Sequence, residues 1–135
     1  RPEMKLHAGL THGVIFAPSV VPAYRGMVVE VPLHLGAMNR DVSADALRSS
    51  LKAFYAGSAV VRVHDDGDLP EIVLHANQAP SDGMELHVRG NAQGYHVRLI
   101  AVLDNLGKGA SGAAVQSLNL MTGLPEETGL SLPRS

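Results

Sequence analysis

The chain has 135 residues, 45% of them hydrophobic, a formal net charge of −2 and no cysteine. That is enough apolar material for one domain with its own core, and the faint negative charge argues against general nucleic-acid or membrane-surface binding. The missing cysteines exclude disulfides, thiolate metal sites and a cysteine nucleophile within these residues, and no apolar run reaches the ~20 residues of a membrane span.

Only 18% of residues are charged, below the typical ~25%, so part of the surface is expected to be covered by a partner subunit or another domain. Pro2 to Leu10 reads as a short helix, with Pro2 in its first turn and Gly9 as its stop. Val14 to Ala17 reads as a short buried strand, and Pro18-Ser19-Val20-Val21-Pro22 as a loop. Gly26 to Leu35 is the clearest strand. Met27, Val29, Val31, Leu33 and Leu35 fall on one face and Val28, Glu30, Pro32 and His34 on the other. Pro32 has no amide donor, which places this strand at an edge or at a bulge.

Ser43 is the expected N-cap of a helix carrying Leu47, Leu51, Phe54 and Tyr55 at helical spacing and closed by Gly57. Ala59 to His64 alternates as a strand. From Asp65 to Gly83 turn residues dominate, with a short strand expected at Glu71 to Leu74. Met84 to Gly90 and Tyr95 to Leu103 form a hairpin around Asn91-Ala92-Gln93-Gly94. A four-residue loop there pairs Val88 with Val97, Leu86 with Leu99 and Met84 with Ala101. The second of these strands is apolar on both faces, so it belongs in the middle of the sheet. A last helix runs from about Lys108 to Thr122, with Ala114, Leu118 and Met121 as its inward stripe and Gly123 as its cap. The sum is an α+β domain of about five strands, mostly antiparallel or mixed, with two main helices.

Gly107-Lys108-Gly109-Ala110-Ser111-Gly112 spells G-x-G-x-x-G between a strand and a helix. A dinucleotide fingerprint also needs a second parallel strand and an acidic residue about 20 positions on. Glu126 and Glu127 lie at that distance, but behind Pro125 and beside no apolar strand, so a self-contained nucleotide-binding unit is rejected. Two compatible readings stay open. Gly109, Ala110, Ala113 and Ala114 allow close packing against a neighbouring backbone, or amides near Gly109 to Ser111, with Lys108, face an anionic or polar ligand.

The seven histidines, at 7, 12, 34, 64, 75, 87 and 96, form no H-x-H or H-x-x-x-H pair. In the expected register His87 opposes Arg98 and Arg89 opposes His96, so no metal site is expected. Asp65, Asp66, Asp68 and Glu71 lack calcium-loop spacing and read as a solvated loop. Arg25, between a proline-bounded loop and a strand start, is the candidate clamp for a substrate phosphate or carboxylate; a surface ion pair is the competing reading.

From Asp104 through Gln116, and on through Asn119-Leu120-Met121-Thr122-Gly123-Leu124-Pro125-Glu126-Glu127-Thr128-Gly129-Leu130, the chain resembles the C-terminal signature of the N-acetyl-gamma-glutamyl-phosphate reductases. Val21-Pro22-Ala23-Tyr24-Arg25-Gly26-Met27 resembles that family's V-P-x-x-R-G segment, and Arg1-Pro2-Glu3 the end of its H-x-P-E segment. Residues 64 to 83 match poorly. The resemblance implies a cytoplasmic, oligomeric enzyme of arginine biosynthesis that reduces N-acetyl-glutamyl 5-phosphate to the 5-semialdehyde with NADP. Such an enzyme joins a Rossmann domain to an α+β domain for substrate contact and dimerisation. The family's cysteine nucleophile and acid/base histidine would then lie upstream of Arg1, leaving residues 1–135 as one substrate-binding and dimerisation domain, inactive alone. It also implies Arg25 as a substrate contact and Asn105, Leu106, Lys108 and Gly109 as the lining of the nicotinamide end of the cleft. A reductase of aspartyl or carrier-bound glutamyl phosphate, or a non-catalytic dimerisation module, are the alternatives.

Overall fold

The computed structural model describes residues 2–11, 13, 15–38, 42–65, 71–75, 77–91 and 94–132. Its elements are α1 (Pro2–His7), β1 (Met27–His34), α2 (Ala44–Phe54), β2 (Val61–Val63), β3 (Met84–Gly90), β4 (His96–Leu103) and α3 (Gly112–Thr122). A π-helical turn over Gly107–Ser111 joins β4 to α3. The α+β class holds, with four strands in the order β1-β4-β3-β2. β1–β4 and β3–β4 are antiparallel and β2–β3 is parallel.

β4 is central, as its two apolar faces require: Val97, Ile100, Val102 and Leu103 are all buried. β1 is an edge strand, which leaves Pro32 free of any ladder bond on its outer side. Ser43 Oγ accepts the Ala46 amide at 3.1 Å and starts α2. Leu47 and Leu51 of α2 then pack with Ala44 and Leu99 onto the buried Leu35, Val88 and Val97. Val61 and Leu103, further along the same face, are buried as well.

Four expectations change. Ile15, Phe16 and Ala17 form no strand and Ile15 is 94% exposed; Val14, with Arg1, His12, Asp66 and Asp68, lies outside the described residues. Glu71 to Leu74 runs without ladder bonds. The hairpin is shifted by two residues, with Val88 opposite Leu99, Leu86 opposite Ala101 and Met84 opposite Leu103. Asn91 causes the shift: its amide donates to His96 O and its Oδ1 accepts the His96 amide, both at 3.0 Å, so the ladder continues one pair further than expected. A two-residue slip keeps every side chain on its face, but it sets His87 against Ile100 and Arg89 against Arg98, so Arg98 no longer stands directly opposite His87. Finally, the expected inward stripe of α3 is open, and Phe54 of α2 does not join Leu47 and Leu51 in the core. Phe54 is 79%, Leu118 58% and Met121 85% exposed, while α3 buries Gly112 and Asn119 instead.

Candidate functional site

The strand end of β4 delivers Asp104 into the interior, where its side chain is fully buried. A buried carboxylate must be hydrogen-bonded, and this one is. Arg25 Nη1 donates to Oδ2 at 2.7 Å, the Ser81 amide to Oδ2 at 3.2 Å, and the Leu106 amide to Oδ1 at 2.9 Å. Burial pushes the Asp104 carboxyl up, but the Leu106 amide, the Arg25 guanidinium and the amides of Ser81 and Gly107 outweigh it and hold it below its ordinary range. One residue on, Asn105 Oδ1 accepts the Gly26 amide at 2.9 Å. Two segments 79 residues apart in sequence, Arg25-Gly26 and Asp104-Asn105, thus meet at a charge pair and a second hydrogen bond.

The glycine turn hangs from this junction. The Gly109 amide donates to Asp104 O at 2.8 Å and the Ser111 amide to Leu106 O at 3.3 Å. These two bonds, each spanning five residues, define a π-turn, a form that concentrates at functional sites. The Lys108 amide reaches across to Ser81 O at 3.2 Å. Close packing occurs at Gly107 and Gly112 rather than at the expected Gly109, Ala110, Ala113 and Ala114, of which Gly109, Ala110 and Ala114 are exposed. A Cβ on Gly107 would strike the Ser81 carbonyl oxygen, and one on Gly112 would strike the Asp82 carboxylate. Because the Gly109 and Ser111 amides are engaged inside the turn, they form no open anion cradle. What the turn presents outward is the exposed surface of Leu106, Gly109, Ala110 and Ser111, with Lys108 half-buried beside them.

Lys108 Nζ contacts Gln116 Oε1. Gln116 Nε2 donates to Glu126 Oε2 at 3.3 Å, and Ser58 Oγ donates to Glu126 Oε1 at 3.1 Å. This polar chain ties the turn to the loop after α2. Asn119, buried on α3, donates to Glu126 O at 3.1 Å and Thr128 O at 2.8 Å and clamps the tail. The tail returns to Asp82, whose Oδ2 accepts the Ser131 amide at 2.8 Å. A 360 Å³ cavity lined by Pro80, Ser81, Val102, Leu103, Asp104 and Leu132 lies against the junction. The larger one, 520 Å³, lies between α2, β2 and Leu132 and contains none of the junction residues.

All five expected site residues are therefore close together: Arg25 and Asn105 by direct bonds to one motif, Leu106, Lys108 and Gly109 on the turn above it. Sequence reasoning passed over Asp104, which neutralises Arg25, and Ser81-Asp82, which the glycines receive. The visible signal was an acid ending an apolar strand, a residue that needs partners wherever it is buried.

A family model described as "Semialdehyde dehydrogenase, dimerisation domain" matches residues 1–105. Over 122 residues the chain is 43% identical to the N-acetyl-gamma-glutamyl-phosphate reductase of Rhizobium meliloti (strain 1021), covering 89% of this chain and 39% of that protein. It is 42% identical over 120 residues to the protein of the same name from Sinorhizobium fredii, with 89% and 39% covered. It is 43% identical over 125 residues to the one from Brucella ovis, with 90% and 40% covered. The chain thus spans about two fifths of the length of these curated relatives. The match takes in α1, α2 and all four strands, and the chain belongs to the semialdehyde dehydrogenase dimerisation-domain family.

Proposed function

We propose that residues 1–135 are the substrate-binding and dimerisation domain of an NADP-dependent reductase that converts N-acetyl-glutamyl 5-phosphate to N-acetyl-glutamate 5-semialdehyde in arginine biosynthesis. The observation that carries this is the junction of Arg25 and Asp104 beneath an outward-facing glycine turn, in a chain whose relatives bear the reductase name. In this reading a Rossmann domain binds the nicotinamide cofactor, and Leu106, Lys108 and Gly109, with Asn105 fixing the turn from below, close on its nicotinamide end. Thiolate attack on the acyl phosphate releases phosphate, and hydride transfer to the resulting thioester, followed by cleavage of its carbon–sulfur bond, yields the aldehyde and regenerates the thiolate. The thiolate comes from outside these residues, which contain no cysteine.

Arg25 supplies the anion contact. A guanidinium has five N–H donors, and the one on Nη1 that holds Asp104 leaves others for a substrate carboxylate or phosphate. The exposed apolar surface supports a covering body: Ile15, Val20 and Tyr24 before β1, and Leu118 and Met121 on α3, all lie more than half exposed. Homo-oligomerisation and a cytoplasmic setting belong to the same proposal; no described helix is long and apolar enough to cross a membrane.

The test is phosphate-dependent reduction of NADP by the complete protein with N-acetyl-glutamate 5-semialdehyde. Arg25→Ala should lower kcat/KM by about 100-fold, ~2.7 kcal/mol of transition-state binding, and Arg25→Lys should recover only part because the planar fork is lost. Full activity in Arg25→Ala would remove the clamp. Turnover of aspartyl semialdehyde in place of the N-acetylated substrate would reassign the acyl group, and a complete protein inactive with every semialdehyde would leave a dimerisation module.

A further inference from the structure

A second polar constellation lies away from the junction, at the β2–β3 edge of the sheet. His64 follows β2 directly, and its amide donates to Leu86 O at 2.9 Å, which sets it beside His87 on β3. Glu85 and His87 are two residues apart on one strand and share its face. Nε2 of His64 lies 3.5 Å and Nε2 of His87 4.0 Å from the same oxygen, Glu85 Oε2. The two rings stack with centroids 4.6 Å apart and planes 12° from parallel. One donor atom from each of the three residues lies within 4.8 Å of the others.

These separations exceed the ~2.7–3.2 Å of a nitrogen–oxygen hydrogen bond. They resemble the edges of a coordination polyhedron instead, since ligand bonds of ~2.1 Å at tetrahedral angles hold donor atoms about 3.4 Å apart. The His64–Glu85 edge already has that length. Imidazole lone pairs lie in the ring planes, so the two nearly parallel rings must turn out of their stack for both nitrogens to converge on one ion. His64 Nε2 is buried and has no hydrogen-bond partner, so a donor is available where an ion would sit. His87 is 5% exposed, whereas the Glu85 side chain is 44% exposed and leaves an entry path and a fourth position for water.

We propose that His64, Glu85 and His87 form a binding site for a divalent transition-metal ion of the zinc class. Two imidazoles and one carboxylate suit that class, and are too nitrogen-rich for magnesium or calcium. Arg62, opposite Glu85, and Arg89, two residues past His87, share the face. They oppose a cation, so coordinate bonds rather than the local field provide the binding.

The probe is Co²⁺, titrated into the chelator-treated complete protein and followed by its visible absorption, with Zn²⁺ as competitor. One Co²⁺ per chain in a tetrahedral spectrum, displaced by Zn²⁺, is expected. Glu85→Gln and His64→Ala, both at solvent-reached positions, should each weaken binding at least ~10-fold. His34→Ala should not, although His34 and His96 form another histidine ring pair, 4.8 Å apart. Crystals grown with Zn²⁺ should show anomalous scattering between the three side chains of the unaltered protein. No Co²⁺ band, a band unchanged in both variants, or scattering elsewhere only, would each overturn the site.

Discussion

Gly107→Ala separates close approach from helix propensity, because the two predict opposite signs. Gly107 is buried at the head of the π-turn with helical neighbours, and alanine there would ordinarily gain up to about 1 kcal/mol. Its Cβ, however, would meet the Ser81 carbonyl oxygen, the Ser81 carbonyl carbon at 2.9 Å and Asp82 Oδ1 at 3.0 Å. The first two are backbone and cannot rotate away. Forcing them apart costs ~1–3 kcal/mol as overpacking, and loosening the 3.2 Å bond from the Lys108 amide to Ser81 O adds about 1 kcal/mol. The net expectation is a loss of about 2 kcal/mol, or several degrees in the thermal unfolding of the complete protein. Gly123→Ala is the comparison. Gly123 has φ +74° and an added Cβ would meet nothing within 4 Å, so it carries only the left-handed strain, ~1 kcal/mol. Amide exchange at Lys108 should accelerate in Gly107→Ala and not in Gly123→Ala. A Gly107→Ala protein as stable as the parent, or less affected than Gly123→Ala, would refute the packing account of the motif.

Asp104→Asn should cost about 2 kcal/mol at neutral pH, since charge-assisted bonds from Arg25 and two amides lose their anion. The Asp104 carboxyl is held below its ordinary value when folded, so its contribution is complete above the unfolded value near 4 and disappears as pH falls through the lowered folded value. Acid titration of stability should therefore be shallower in Asp104→Asn than in the parent below about pH 4; parallel acid limbs would contradict it. Asn119→Ala removes both bonds that hold the tail carbonyls of Glu126 and Thr128, at about 2 kcal/mol, and limited proteolysis should then cut within residues 124–130 first. Ser43→Ala removes the N-cap of α2 and should cost ~1 kcal/mol in a urea melt.

The elements with long, regular patterns were legible. β1, β3, β4 and α2 form where alternation, a capping serine and a two-sided apolar strand place them. What failed has physical causes. Ile15 and Val73 look like core residues because they are apolar, yet both are more than half exposed; nothing local reports whether a surface is covered by another body. The hairpin slip came from the Asn91 side chain, which replaces a turn bond with its own, a choice loop length alone does not reveal. Arg25 and the Asp104–Gly109 motif were singled out separately, but the bond between them spans 79 residues and has no sequence periodicity to announce it. The stacked histidines were hidden for the same reason. They are 23 positions apart and become neighbours only through a parallel strand pair that extends Val61–Val63 beside Met84–Leu86.

The Arg25–Asp104 pair answers an objection to the proposed clamp. An arginine already bound to a carboxylate looks unavailable, and on an exposed surface such a pair would be worth little. Here Asp104 is wholly buried while the Arg25 side chain remains 25% exposed, so the acid anchors one nitrogen and the other edge of the guanidinium can face outward. The anchor is itself fixed by the Ser81 and Leu106 amides, and its own carbonyl accepts the Gly109 amide. Arg25 and the glycine turn consequently share a single rigid support. Anything that displaces Asp104 displaces both the proposed anion contact and the turn surface proposed to meet the cofactor, and under that proposal the two are coupled through one residue.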